Sequence, residues 1–164
     1  MLNIRTATAD DLQTLLAIYR YAREFMRNTG NPDQWGTVHP AEEIIISDIH
    51  NGISKVICDE NGIRGVFALL EEAEPTYAEI ENGEWLNGDP YVTIHRIASD
   101  GQAHGIFRCA ADHCKSVCRN VRIDTHKDNK IMRNLIEQNG FKKCGIIYVR
   151  DRSPRIAYHW TQRS

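Results

Sequence analysis

Arg122-Ile123-Asp124-Thr125-His126-Lys127-Asp128-Asn129-Lys130-Ile131-Met132, continued by Leu135-Ile136-Glu137-Gln138-Asn139-Gly140-Phe141, decides the architecture of this chain. The run from Val121 to Thr125 predicts a strand, and the segment from Asn129 to Gln138 a helix, with a polar turn between them. Gly140 suits a left-handed cap that ends the helix before a further strand from Lys142 to Val149. A last strand, Ile156 to Thr161, follows.

Working back from this stretch, Tyr91 to Ala98 is strand-like and breaks at Ser99 to Gly101. A helix is expected through Gly105 to about Cys118, with Ile106, Ala110, His113 or Cys114, and Val117 on one face. Ile53 to Cys58 and Ile63 to Leu70 flank Asn61-Gly62, which is a hairpin signal. Near the start, Leu2 to Ala7 reads as a strand, and Thr8 or Asp10 can cap a helix whose stripe is Leu12, Leu15, Leu16, Tyr19, Ala22 and Met26. Gly30-Asn31-Pro32 ends that helix, and a structured loop around Trp35 leads to Pro40, where a second helix starts and runs to Asn51-Gly52. The acidic, Gly- and Asn-rich segment from Glu71 to Pro90 reads as an excursion over the surface. The order β-α-α-β-β-β-α-β-α-β-β, without repeat or linker, predicts one α/β domain over 1–164, a mixed sheet with helices on both faces.

Composition narrows the partners. Lys and Arg number 20 against 22 Asp and Glu in 164 residues, so no broad basic field is present and nucleic acid is not an expected partner. No secretory leader pattern opens the chain, no run reaches membrane-spanning length, and the five cysteines lack the spacing of a secreted scaffold. A cytoplasmic protein with reduced thiols, and no membrane partner, is the expectation. Cys109, His113, Cys114 and Cys118 fall on one helix, but a single straight helix cannot close a tetrahedral shell around a metal. Small buried thiols are the simpler reading, and no metal is expected.

Two motifs in order carry a family resemblance. Ile97-Ala98-Ser99-Asp100-Gly101-Gln102-Ala103-His104-Gly105-Ile106-Phe107 is similar to the Gln/Arg-x-x-Gly-x-Gly/Ala turn of the GNAT superfamily of acyl-CoA-dependent N-acyltransferases. The stretch from Arg122 to Phe141 resembles that family's strand, Asn-bearing turn, helix and terminal Gly-Phe. The resemblance is strong over Tyr91 to Val149 and rests on element order before that. It implies a single-domain, mostly antiparallel twisted sheet, acetyl-CoA as co-substrate, and transfer of an acetyl group to a primary amine of a small molecule or peptide by direct attack. A homodimer is also consistent with it.

By the resemblance, Ile97, Ala98, Gln102, Ala103, His104, Gly105, Ile106 and Phe107 border the cofactor, Asn129 bonds its pantetheine arm, and Met132 packs beside it. Successive N–H groups at a helix start, with the helix dipole, suit a pyrophosphate, and Gly105 permits close approach. Phe107 stands where the family has a small residue, so its ring must turn away or fill a gap between helix and sheet. Ile136 occupies the place where many members carry a catalytic Tyr. These two positions motivate an alternative reading, a non-catalytic acyl-CoA-binding or regulatory module.

Attack of an amine on a thioester needs a base, an oxyanion donor and a tolerated thiolate. The backbone N–H of Ile97 or Ala98 is the expected oxyanion donor by the resemblance. His95, with an ordinary pKa of about 6.5 and on the same strand face as Ile97, is the first candidate base. It fits equally a half-buried strand histidine satisfied by a carbonyl. His126 and Tyr148 are further candidates for proton transfer. Glu71 and Glu72 at a strand end, and Trp35 in the early loop, are expected on the acceptor side.

Overall fold

A computed structural model describes residues 1–163. The strands are β1 (Asn3–Thr6), β2 (Ser54–Asp59), β3 (Gly62–Leu70), β4 (Val92–Ser99), β5 (Asn120–Thr125), β6 (Lys142–Tyr148) and β7 (Pro154–Thr161). The helices are α1 (Leu12–Asn28), α2 (Glu42–His50), α3 (Ile106–Val117) and α4 (Lys130–Gln138). Element order matches the sequence reading throughout. Helix α2 starts at Glu42 rather than Pro40, with Ala41 in extended conformation as its cap residue.

The seven strands form one sheet in the order β1-β2-β3-β4-β5-β7-β6. Only β4 and β5 are parallel neighbours; the other pairs are antiparallel. Strand alternation divides the core between the two faces. Phe67 and Leu69 face α3 and α4 together with Phe107, Ala110, Ile136 and Phe141, whereas Val66 faces α1 and α2 with Leu15, Ile18, Tyr19 and Ile45. Helices therefore cover both faces, as the sequence implied.

The segment between β3 and β4 is more than a surface excursion. Tyr77, only 2% exposed, packs with Ile147 and Ala157, and Ile80, Trp85 and Tyr91 close around them. Trp85 Nε1 donates to Tyr77 O at 2.9 Å, and the Arg122 guanidinium is sandwiched between Trp85 and Tyr91, 4.1 and 3.9 Å from the ring centroids. The Leu86 amide donates to His159 Nδ1 at 3.2 Å, and His159 Nε2 meets Asn120 Oδ1 at 2.9 Å. Gly83 and Gly145 let this segment lie directly against β6, since a Cβ at either would collide with backbone. Aromatic packing thus does for this half of the sheet what a helix does elsewhere. The composition hid it, because its few large residues lie among polar ones.

Candidate active site

β4 and β5 pair only through Val92 with Val121 and Thr93 with Arg122, after which the ladder ends. Beyond that point a cleft of about 690 Å³ opens, lined by Ile94 to Ile97 on one side and Ile123 to Thr125 on the other. Behind it, a groove of about 360 Å³ runs between the 97–108 segment, Tyr21 to Thr29 of α1, and Ile131, Met132 and Leu135 of α4. Met26, Ile97, Asn129 and Met132 line both. Two compartments therefore meet at the point where the strands part.

A bulge in β4 marks the junction. Val66 pairs with Ala98 and Ala68 with His95, so Arg96 and Ile97 together oppose Phe67. Arg96 has φ of 50°, a left-handed conformation uncommon for a residue with a side chain. Such a bulge withdraws a backbone group from the ladder. Three bonds hold it: Arg96 Nε and Nη2 donate to the two Asp48 oxygens at 2.8 Å each, and Tyr19 Oη donates to Arg96 O at 2.8 Å. Helices α1 and α2 thereby clamp the strand where it departs from regular geometry.

The groove is mostly backbone and apolar surface. Gly105 is the left-handed residue before α3, with φ of 79°, and no side chain caps the helix start. A Cβ built on Gly105 meets nothing within 4 Å, and Gly105 to Arg108 line the groove, so the helix start opens onto it. That is a cradle fit for a pyrophosphate. Ala98, Ala103, His104, Ile106 and Phe107 line the groove as expected, but Gln102 does not; it is exposed, and its amide donates to Asp100 at 2.9 Å. The Phe107 ring packs edge-to-face on Phe141, with centroids 6.1 Å apart, filling the gap between helix and sheet. Asn129 caps α4: its Oδ1 accepts from the Met132 amide at 3.1 Å, while its Nδ2 donates to Gln34 Oε1 at 3.0 Å. Gln34 thus ties the early loop to the junction.

The cleft is polar. His95 Nε2 lies 3.4 Å from Glu74 Oε2; the contact is ionic when the ring is protonated but falls short of hydrogen-bond geometry. Glu74 is fixed from behind, as its Oε1 accepts from the Thr76 amide and hydroxyl at 3.2 and 3.0 Å and its own amide donates to Tyr91 Oη at 2.9 Å. The imidazole, then the Thr76 bonds, hold the Glu74 carboxyl down at about 2 against the opposing effect of burial. Tyr77 stacks against His95 with centroids 6.2 Å apart and donates to Asp124 Oδ2 at 2.6 Å. Trp35 also lines the cleft, 5.8 Å from the Tyr19 ring.

His95, Ile97 and Trp35 are thus gathered at the cleft, whereas His126, Tyr148, Glu71 and Glu72 are not among its lining. His126 Nδ1 accepts the Asp128 amide at 3.0 Å, which makes it a turn residue. Tyr148 is 42% exposed and donates to Glu81 at 2.9 Å. Glu71 and Glu72 point to solvent, and Glu74, three residues on, takes the place expected of them. Glu74-Pro75-Thr76 carried a signal, an acceptor side chain before proline at the first position of a turn. Asp124 and Arg155 also line the cleft, with no comparable signal in the sequence. Ile136 is fully buried in the core below. Among the described residues, no group of three or more His, Cys, Asp or Glu side chains could hold a metal, and burial pushes the Cys114 thiol up to about 12.

The chain thus has a mixed sheet parted at its centre, with an uncapped helix start behind the opening and a cleft lined in part by titratable side chains before it. Known proteins share this fold. A GNAT-family acetyltransferase from Streptococcus agalactiae is 26% identical, with a TM-score of 0.89 over 99% of this chain and 96% of that one. By fold and by this likeness the chain is an acyltransferase that resembles the GNAT-family acetyltransferases. A GNAT-family acetyltransferase from Bacillus cereus (18% identical, TM-score 0.66, 100% of this chain and 99% of that one) shares the fold, as does a ribosomal-protein alanine N-acetyltransferase from Escherichia coli (15% identical, TM-score 0.60, 100% and 97%). No family model and no curated protein matches the chain.

Proposed function

We propose that the chain transfers an acetyl group from acetyl-CoA to a primary amine by direct attack. One observation carries this: the groove and the cleft meet at Ile97, in the β4 bulge and two residues from His95. Acetyl-CoA supplies the acyl group as a thioester. Gly105 and the N–H groups opening α3 receive its pyrophosphate, and Asn129 and Met132 border the arm that reaches the junction. The Ile97 N–H, released by the bulge, donates to the oxygen that gains charge. His95 accepts the proton that the amine loses as the C–N bond forms and the C–S bond breaks, and Glu74 steadies the imidazolium. No tyrosine lines the cleft, which supports protonation of the departing thiolate by water.

Incubating the protein with acetyl-CoA and a panel of amines should yield N-acetyl products and free thiol in equal amounts. Absence of acetyl-CoA binding by calorimetry at millimolar ligand would end the proposal.

A further inference from the structure

Several arginines of this fold are matched. Arg5 pairs with Asp11, Arg64 with Asp59 and Asp100, Arg96 with Asp48, and Arg122 lies between two aromatic rings. Arg155, the buried guanidinium of the cleft, is not. It is 7% exposed and lines the cleft from the start of β7, yet its bonds go only to neutral oxygens: Ser153 Oγ at 3.3 Å, Pro154 O at 2.9 Å and Gln34 O at 3.2 Å. Among the described residues no carboxylate stands within salt-bridge distance of it. Asp124 and Asp151 influence it from farther away, but Asp124 holds the Tyr77 hydroxyl and Asp151 bonds Ser153. A guanidinium withdrawn from water without a counter-charge is costly, and burial lowers its pKa accordingly. Its planar fork suits a carboxylate.

The β4 side of the cleft carries an acidic group of its own. Glu74, beside His95, lines the cleft there and suits an ammonium or amine, while Asp124 on β5, already bonded by Tyr77, stands between that pair and β7. Exposed Arg150 also lines the cleft. The Glu74–His95 pair beside β4 and the unpaired Arg155 guanidinium on β7 thus border the same cleft from different strands.

We infer that the acceptor is a small amino carboxylic acid whose carboxylate is received by Arg155 while its amine lies against His95 and Glu74. This rests on the acetyl-transfer reading and narrows its substrate class. The same arrangement disfavours a plain alkylamine, which would leave Arg155 unmatched.

The test pairs each amino acid in a panel with its carboxamide and measures kcat/KM for acetyl transfer. With the unaltered protein, acids should exceed their amides by about 10- to 100-fold, the worth of a charge-assisted hydrogen bond. Arg155→Gln should bring that ratio to about one, chiefly through KM for the acid, and Arg155→Lys should restore part of it. Unchanged acetyl-CoA binding by both variants shows that they fold. Equal rates on acid and amide, or a preference that survives in Arg155→Gln, would overturn the inference while acetyl transfer stands. Transfer to neither substrate together with no acetyl-CoA binding would instead remove the acetyl-transfer reading, and this inference with it.

Discussion

The groove and the cleft adjoin, yet they are made differently. One wall of the groove is a local product: the strand end, the 99–105 turn and the start of α3 are consecutive, and the proposed anion site is backbone left uncapped at Gly105, with α1 and α4 across from it. The cleft draws side chains from five separate segments, Trp35, Glu74, His95, Asp124 and Arg155, and its contacts are between titratable and polar side chains. Binding in one is set by backbone geometry, and chemistry in the other by where remote side chains converge. The sharpest way to break this division is His95→Ala. Turnover should fall by about 10²- to 10⁴-fold, the range for losing a positioned base. Acetyl-CoA affinity should stay within about twofold, because His95 lines only the cleft. If calorimetry shows affinity falling in step with turnover, the compartments are not separable.

Acid should distinguish the two next. The cleft leans on the 71–91 segment, which hangs on neutral His159 through the Leu86 amide. Burial, and then Arg122, holds His159 down at about 4 against the ordinary 6.5. With a folded pKa below the unfolded one, the stability His159 contributes is complete above about pH 6.5 and is lost as pH falls through about 4. Hydrogen exchange at Leu86 should therefore quicken across that window while the α3 amides keep their protection. Simultaneous loss in both would mean that the segment is not an independent support.

The same division explains what the sequence made legible. Hydrophobic periodicity, Asn61-Gly62 and the Gly-bearing turns located the strands and helices, because those signals are local. The groove was legible for the same reason, with Gln102 as its one outlier. In the cleft, His95 and Trp35 could be named, but Asp124 and Arg155 look like any strand-end charges until the sheet brings β5 and β7 together. Tyr77 was hidden too, since nothing within Glu71 to Pro90 shows that its ring will lie under His95.

Two smaller changes probe the groove and then the junction. At Gly105, Ala should cost about 1 to 2 kcal/mol of stability through its left-handed backbone, whereas Asn tolerates that conformation better. Both side chains project into open space at the start of α3. Gly105→Asn should therefore weaken acetyl-CoA binding about tenfold with little change in melting temperature, and leave the amine KM unaltered. Binding that follows stability, weakened in Ala and intact in Asn, would assign Gly105 to turn geometry alone.

Asn129→Ala should have the smallest effect and report on both sides at once. The loss of its cap on the Met132 amide costs about 1 kcal/mol, worth about 2 to 4 °C in melting temperature for a domain of this size. The loss of its bond to Gln34 releases the early loop that carries Trp35. Because Asn129 lines groove and cleft alike, KM for acetyl-CoA and KM for the amine should rise together, each by less than about tenfold. His95→Ala and Gly105→Asn each act on one compartment; only a junction residue should move both constants. A rise in one alone would place Asn129 within that compartment and shift the meeting point to Ile97 and Met132.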